Sequence, residues 1–194
     1  MPSESAQHRR IGALTRTRRE EGREPGWDGA IGRLAEAQHG VVAWRQLHAL
    51  GMGKDAIQHR IAAGRLQPLH RGVYAVGHRL IQREGRWMAA ILASGPDAVL
   101  SHWSAAALWM IRPNSRTRIE VTVPHRSRSS DLIRRHVSEV PPDERTVEEA
   151  IPATSVPRTI FDLAATESSD VVENLLREME FLELRDRLSA PKPD

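Results

Sequence analysis

Glycines at positions 40, 51, 64, 72 and 77 each close a short apolar period, so no element between Trp27 and Gly77 can be long. Ile31, Leu34, Ala35 and Gln38 share one helical face, and Gly40 ends that helix. Val41 and Val42 read as a short apolar link. Trp44, Leu47 and Leu50 mark a second helix stopped at Gly51, and Ile57 and Ile61 a third stopped at Gly64. Leu66 to Leu69 and Val73 to Val76 then read as two strands around a turn at His70-Arg71-Gly72. Three helices followed by a hairpin in this order is the pattern of a winged helix-turn-helix, expected over residues 27–78.

Residues 79–188 read as a small mixed α+β domain, so the expected fold class is α+β. Residues 83–94 suit a helix, and Ser101 is placed to cap another running to Trp109. Residues 118–123 (RIEVTV) alternate as a strand. Residues 132–137 (LIRRHV) are expected to pair with it across a polar loop at 126–130. Ser155 and Pro157 start a helix through Ala165 in which Arg158 and Asp162 form an i,i+4 pair. Asp170 and Glu173 resemble a capping box for a last helix. Its stripe of Val172, Leu175, Leu176, Met179 and Leu182 is expected to face the core. Residues 1–26 lack apolar periodicity and are rich in arginine, which reads as a disordered basic arm. Residues 189–194 read as a proline-rich tail.

Composition excludes several classes. The longest apolar runs, Trp87 to Ala93 and Ala105 to Ile111, are seven residues each, whereas a membrane span needs about 20. With no cysteine there is no disulfide and no thiolate ligand or nucleophile. A cytoplasmic location is the expectation. The net charge of +3 hides a gradient: residues 1–84 carry 14 basic and 8 acidic side chains, residues 141–194 carry 6 and 13. A polyanionic partner would therefore meet the front of the chain.

The nine histidines form no HExxH or other tight metal-ligand pair. Ser101 precedes His102, but adjacent residues on a helix point apart and no GxSxG elbow is present. Glu120 sits on a strand, yet neither lysine, Lys54 or Lys192, lies near it to assist metal-dependent hydrolysis. A glycine-rich phosphate loop is also missing. The expectation is a non-enzyme with no cofactor.

The stretches HGVVAWRQLHALG (39–51), GRLQPLHRGVYAVG (64–77), LSHWSAAALW (100–109), VTVP (121–124) and IPATSVPRTIFDLA (151–164) together resemble the AbiEi-type antitoxin family of actinobacteria. The resemblance implies an N-terminal winged helix that binds double-stranded promoter DNA, followed by an α+β domain. It further implies negative autoregulation of an operon that includes a nucleotidyltransferase-like toxin, which the antitoxin counteracts. Longer relatives carry a C-terminal endonuclease domain; this chain, ending at Asp194, is expected to lack it. The alternatives are a non-catalytic protein-interaction module and a truncated relic of a nuclease-bearing homologue. Relatives often have Ser or Thr where Ala43 and Gly53 stand. Alanine is the poorer cap, by about 0.5–2 kcal/mol relative to serine.

On a helical wheel of residues 54–63, Ile57 and Ile61 define the buried side, with Asp55, His59, Ala62 and Ala63 opposite. Gln58 flanks one side and Arg60 the other. Gln58 is suited to reading adenine, Asp55 to accepting from cytosine, and Lys54 and His59 complete the candidate reading face. Grip is expected from Arg65 and Arg71 around the first hairpin strand, from His70 in the turn, and from Arg45 in the first turn of the second helix. Four to six neutralised phosphates would give a log–log salt slope of roughly −4 to −5.

Overall fold

A computed structural model describes residues 26–113, 116–126 and 128–181. The expected arm up to Pro25 and the tail at 189–194 lie outside the described residues. The chain is a mixed α+β protein, with seven α-helices and two sheets among the described residues.

The front half runs α1 (Trp27–Glu36), β1 (Val41–Ala43), α2 (Trp44–Ala49), α3 (Lys54–Ala62), β2 (Leu66–His70) and β3 (Val73–Val76). The three strands form an antiparallel sheet in the order β1-β3-β2. All three helices fall where the apolar periods put them. Their inner faces bury Ile31, Ala35, Leu47 and Ile57 with Met52 and Leu66 in one cluster. Each of the larger side chains contributes about 1.5–3 kcal/mol by leaving water.

The expected link at Val41-Val42 is instead strand β1, and all three of its residues are buried. Three residues are too few to show an alternation, so the run looked featureless. The alternation is nonetheless there. Val42 and Tyr74 join the cluster under the helices, while Val41, Ala43 and Val73 join the central core on the other face. The small sheet is therefore covered on both sides.

That second cover is α4 (Arg83–Ser94), which is buried along most of its length at Gly85 and Trp87 to Leu92. A helix apolar on nearly every side belongs in an interior. Gly85 shows how close it lies: a Cβ there would meet the His39 carbonyl oxygen at 2.6 Å. The core consequently runs without a break from the front sheet into α4 and on to Leu100, Val121 and Ile133 behind it, across the 78/79 junction between the two expected domains.

Behind α4 come β4 (Val99–Leu100), α5 (His102–Leu108), β5 (Ile119–Val123) and β6 (Ile133–Val137). They are followed by a 3-10 turn at Pro142–Glu144, β7 (Arg145–Glu148), β8 (Ile151–Thr154), α6 (Val156–Ala164) and α7 (Ser169–Phe181). The sheet order is β6-β5-β4-β8-β7. Residues 118–123 and 132–137 do pair, but in parallel, with Ile119 opposite Ile133 and Val123 opposite Val137. Alternation fixes which face a side chain takes, not which way its partner strand runs.

Ser155 caps α6 through the Arg158 amide, and Arg158 Nε donates to Asp162 Oδ1 at 2.8 Å, as the spacing predicted. Arg158 also reaches Glu144 and Ser138 Oγ, fastening α6 to the segment before β7. Helix α7 begins at Ser169, one residue before the expected Asp170 cap. Its Leu175 is fully buried with Val171 beside it, whereas Leu176 is 44% exposed. The stripe is thus narrower than the sequence suggested. Its last members, Met179 and Leu182, lie outside the described side chains. No described helix is long and apolar enough to cross a membrane.

Candidate functional site

Helix α3 presents Lys54, Asp55, Gln58 and His59 to solvent, with Ala62 and Ala63 beyond them, while Ile57 is 1% exposed on the opposite face. The Leu50–Gly53 turn after α2 sets up this exposure. Met52 is fully buried there, its amide bonded to the Leu47 carbonyl, and it anchors the start of α3. Four of the predicted site residues therefore share one open face.

Arg60 departs from its expected place on the flank of that face. It is only 3% exposed, and its guanidinium bonds Asp28 Oδ1, tying α3 to α1. The hydrogen bond from Arg60 holds the Asp28 carboxyl below its usual range. Arg65 follows α3 directly and is 56% exposed, with Nη1 3.8 Å from the other Asp28 oxygen. Its charge at this surface is partly answered by Asp28. Arg71 is exposed at the hairpin turn, where the Gly72 carbonyl accepts from the Trp44 amide at 2.7 Å. The turn thus rests against the start of α2.

Arg45 and His70 are oriented toward α4 and β6. Arg45 Nη1 donates to the Leu92 carbonyl at 2.8 Å, in the last turn of α4, where a cation is favoured by the helix dipole. Arg135 of β6 completes that helix end through Ser94 Oγ at 2.9 Å and the Ala93 carbonyl. His70 is half-buried, and burial, reinforced by the charge of Arg135, pulls its imidazole below the ordinary histidine range. His70 lies with Leu69 and Trp87 in the lining of a cleft away from the α3 face. The structure thus gathers Lys54, Asp55, Gln58 and His59 on the open face of α3, leaves Arg65 beside Asp28 and Arg71 at the hairpin turn, and separates Arg45 and His70 from them.

A second polar centre lies on one face of the rear sheet. Glu120 and Thr122 on β5 stand opposite Arg134 and His136 on β6, and the strand period puts all four on the same side. Glu120 is 2% exposed. One carboxylate oxygen accepts from the Trp103 amide at 3.1 Å, and the other from His136 Nε2 at 3.3 Å. Burial raises the Glu120 carboxyl, but the His136 hydrogen bond and neighbouring positive charge outweigh it, and the net direction is down.

His102 stacks on His136 with ring centroids 3.6 Å apart. It sits at a left-handed φ of 51°, uncommon for a residue other than glycine. Its Nδ1 lies 3.0 Å from Ser101 Oγ. Burial and then the charge of His136 push the His102 imidazole down to about 4. Ser101 therefore occupies the cap position of α5 without capping it; the carboxylate of Glu120 serves that end from another strand. The two imidazoles lie face to face, with no gap between them in which a reacting atom would sit. Chemically, the cluster fastens the start of α5 to β5. Among the described residues no group of three His, Asp or Glu side chains is arranged to hold a metal ion.

Sequence reasoning weighed the Ser101-His102 pair and Glu120 separately and missed their union. The usable signal was the matched i,i+2 spacing of Glu120/Thr122 and Arg134/His136 on two strands already expected to pair. No protein-family model matches this chain, and no curated protein matches it.

Proposed function

We propose that this protein is a DNA-binding transcriptional regulator of the kind its sequence resembles, an AbiEi-type antitoxin. On this reading residues 27–78 are a winged helix-turn-helix that binds double-stranded promoter DNA. The rear half serves the antitoxin role against a nucleotidyltransferase-like toxin encoded in the same operon. The observation that carries the reading is the outer face of α3, on which Lys54, Asp55, Gln58 and His59 are all exposed among the described residues. The order helix, strand, helix, helix, hairpin with sheet order β1-β3-β2 supports it. Gln58 is suited to adenine and Asp55 to cytosine, while Lys54, Arg65 and Arg71 supply phosphate contacts. Arg45 and His70, turned toward α4 and β6, are assigned no DNA contact.

Electrophoretic and anisotropy titrations at about 150 mM salt test this. A fragment of the protein's own promoter should bind more tightly than random duplex. Gln58→Ala should relax base preference by about 1–3 kcal/mol at one position. Arg65→Ala plus Arg71→Ala should weaken all sequences alike and flatten the salt slope by about 1 for each phosphate no longer neutralised. Equal affinity for promoter and random DNA rejects the proposal.

One observation favours a second reading, a protein-binding module. The hairpin is packed beneath α4 and presents only a short turn, which limits its grip on a phosphate backbone. Loss of operon repression in the double arginine variant excludes that reading.

A further inference from the structure

A cleft of about 660 Å³ opens where β2, the chain leading into α4, and the chain leading into β5 meet. That volume lies in the range of small-molecule sites. Five arginines line it (Arg79, Arg83, Arg86, Arg116 and Arg118), and among the described residues no carboxylate does. Arg83 pairs with Glu84, and Arg116 with Glu167, both just outside the lining. Arg79, Arg86 and Arg118 have no carboxylate partner among the described residues. At least three exposed positive charges thus ring one cleft without a paired carboxylate among the described residues, an arrangement that a multiply charged anion would complement.

Two of the five guanidiniums are preorganised. Arg83 lies 4.7 Å over the Trp87 ring and Arg116 5.1 Å over the Trp103 ring, so each fork is held by an indole. The walls between the arginines are mainly apolar, with Leu69, Ile81, Ile119 and Leu132 among them, and His70 and Thr117 are polar members of the same lining. Leu80, also in the lining, is 90% exposed. A smaller recess shares Arg116 and Arg118 and ends on Glu120 and Arg134.

We propose that this cleft binds a nucleoside polyphosphate. Guanidinium forks match phosphate oxygens in pairs, and several convergent forks suit a chain of phosphates better than a single carboxylate. The apolar walls suit a planar base, which inorganic phosphate would leave wet. A fatty anion would fill the walls but answer only one arginine. Duplex DNA is too wide to enter a space of this volume and can touch only its rim. The site is independent of the α3 face, so it stands or falls separately from DNA binding.

Isothermal titration of the full chain with ATP, GTP and inorganic tripolyphosphate tests the proposal without DNA present. At least one nucleotide should bind with micromolar affinity, about −8 kcal/mol, and tripolyphosphate at least tenfold more weakly. Arg86→Ala and Arg118→Ala should each weaken nucleotide binding by about 10- to 100-fold, while leaving the melting temperature unchanged. Arg33→Ala, on α1 away from the cleft, should have no effect. Absence of heat with every nucleotide overturns the proposal. Equal binding of tripolyphosphate overturns it too, because the base would then be unread. A third overturning result is a drop in duplex affinity in the Arg86 and Arg118 variants when no nucleotide binds, which would assign these arginines to a nucleic-acid surface.

Discussion

At the scale of single residues, position decides what a side chain of given chemistry does. Arg60 and Arg65 are five apart and alike in sequence context, yet one is 3% and the other 56% exposed, and both answer to Asp28. Ala43 looked only like a weak cap for α2. In place, its methyl is 2% exposed in the seam against α4, and Gln46 Oε1 accepts from its amide at 2.8 Å. Half a capping box is therefore kept without serine. Glycines differ in the same way. Gly85→Ala forces a Cβ against the His39 carbonyl and should destabilise by about 1–3 kcal/mol despite alanine's better helix propensity. Gly32→Ala, on the exposed side of α1 with nothing within 4 Å, should instead stabilise by up to about 1 kcal/mol. Urea midpoints for the two variants check this, and a Gly85→Ala midpoint at or above the parent would refute the close contact.

At the scale of elements, the junction of α5 with β5 depends on titratable groups. The His102 imidazole sits at about 4 against an ordinary value of 6.5. Between those pH values the unfolded chain binds a proton that the folded chain does not, so stability rises with pH across the window. It is present in full above 6.5 and is lost as pH falls toward 4, by about 3 kcal/mol in total. Glu120, whose carboxyl is depressed, acts in the same sense: its contribution is lost as pH falls through its folded value. His102→Asn keeps a side chain that tolerates a left-handed φ but removes the titration. Calorimetric melting between pH 4 and 7 should show a shallower pH dependence for the variant. An unchanged slope would remove His102 as the cause.

At the scale of the molecule, the two halves share a core. Val41, Ala43 and Val73 of the front sheet are 0%, 2% and 1% exposed, in one cluster with Trp87, Leu92 and Val121. His39 Nε2 lies 2.6 Å from the Glu149 carbonyl in the β7–β8 turn, a second tie across the same seam. The chain should therefore melt in one transition. A fragment of residues 26–78 would expose the seam face of its sheet, and it should be partly unfolded by circular dichroism and amide exchange. Two separate calorimetric transitions in the full chain, or a fragment as protected as the parent, would contradict the shared core.

The sequence by itself determined what depends on near neighbours. The helical periods placed α1, α2 and α3, the Ser155-Val156-Pro157 start and Arg158–Asp162 pair placed α6, and the alternation in RIEVTV placed β5. The face of α3 that carries Lys54, Asp55, Gln58 and His59 was equally legible, because a helix sets its own sides. Tertiary structure alone decided the rest. It made Val41–Ala43 a strand with two buried faces, turned β5 and β6 parallel, and took Arg45 and His70 to α4 and β6. It also brought Glu120 to the Trp103 amide and set five arginines around one cleft. The physical reason is the same in each case. Periodicity is a property of one segment, whereas the direction of a partner strand or the counter-ion of a buried charge belongs to a residue far along the chain, as Asp28 is from Arg60.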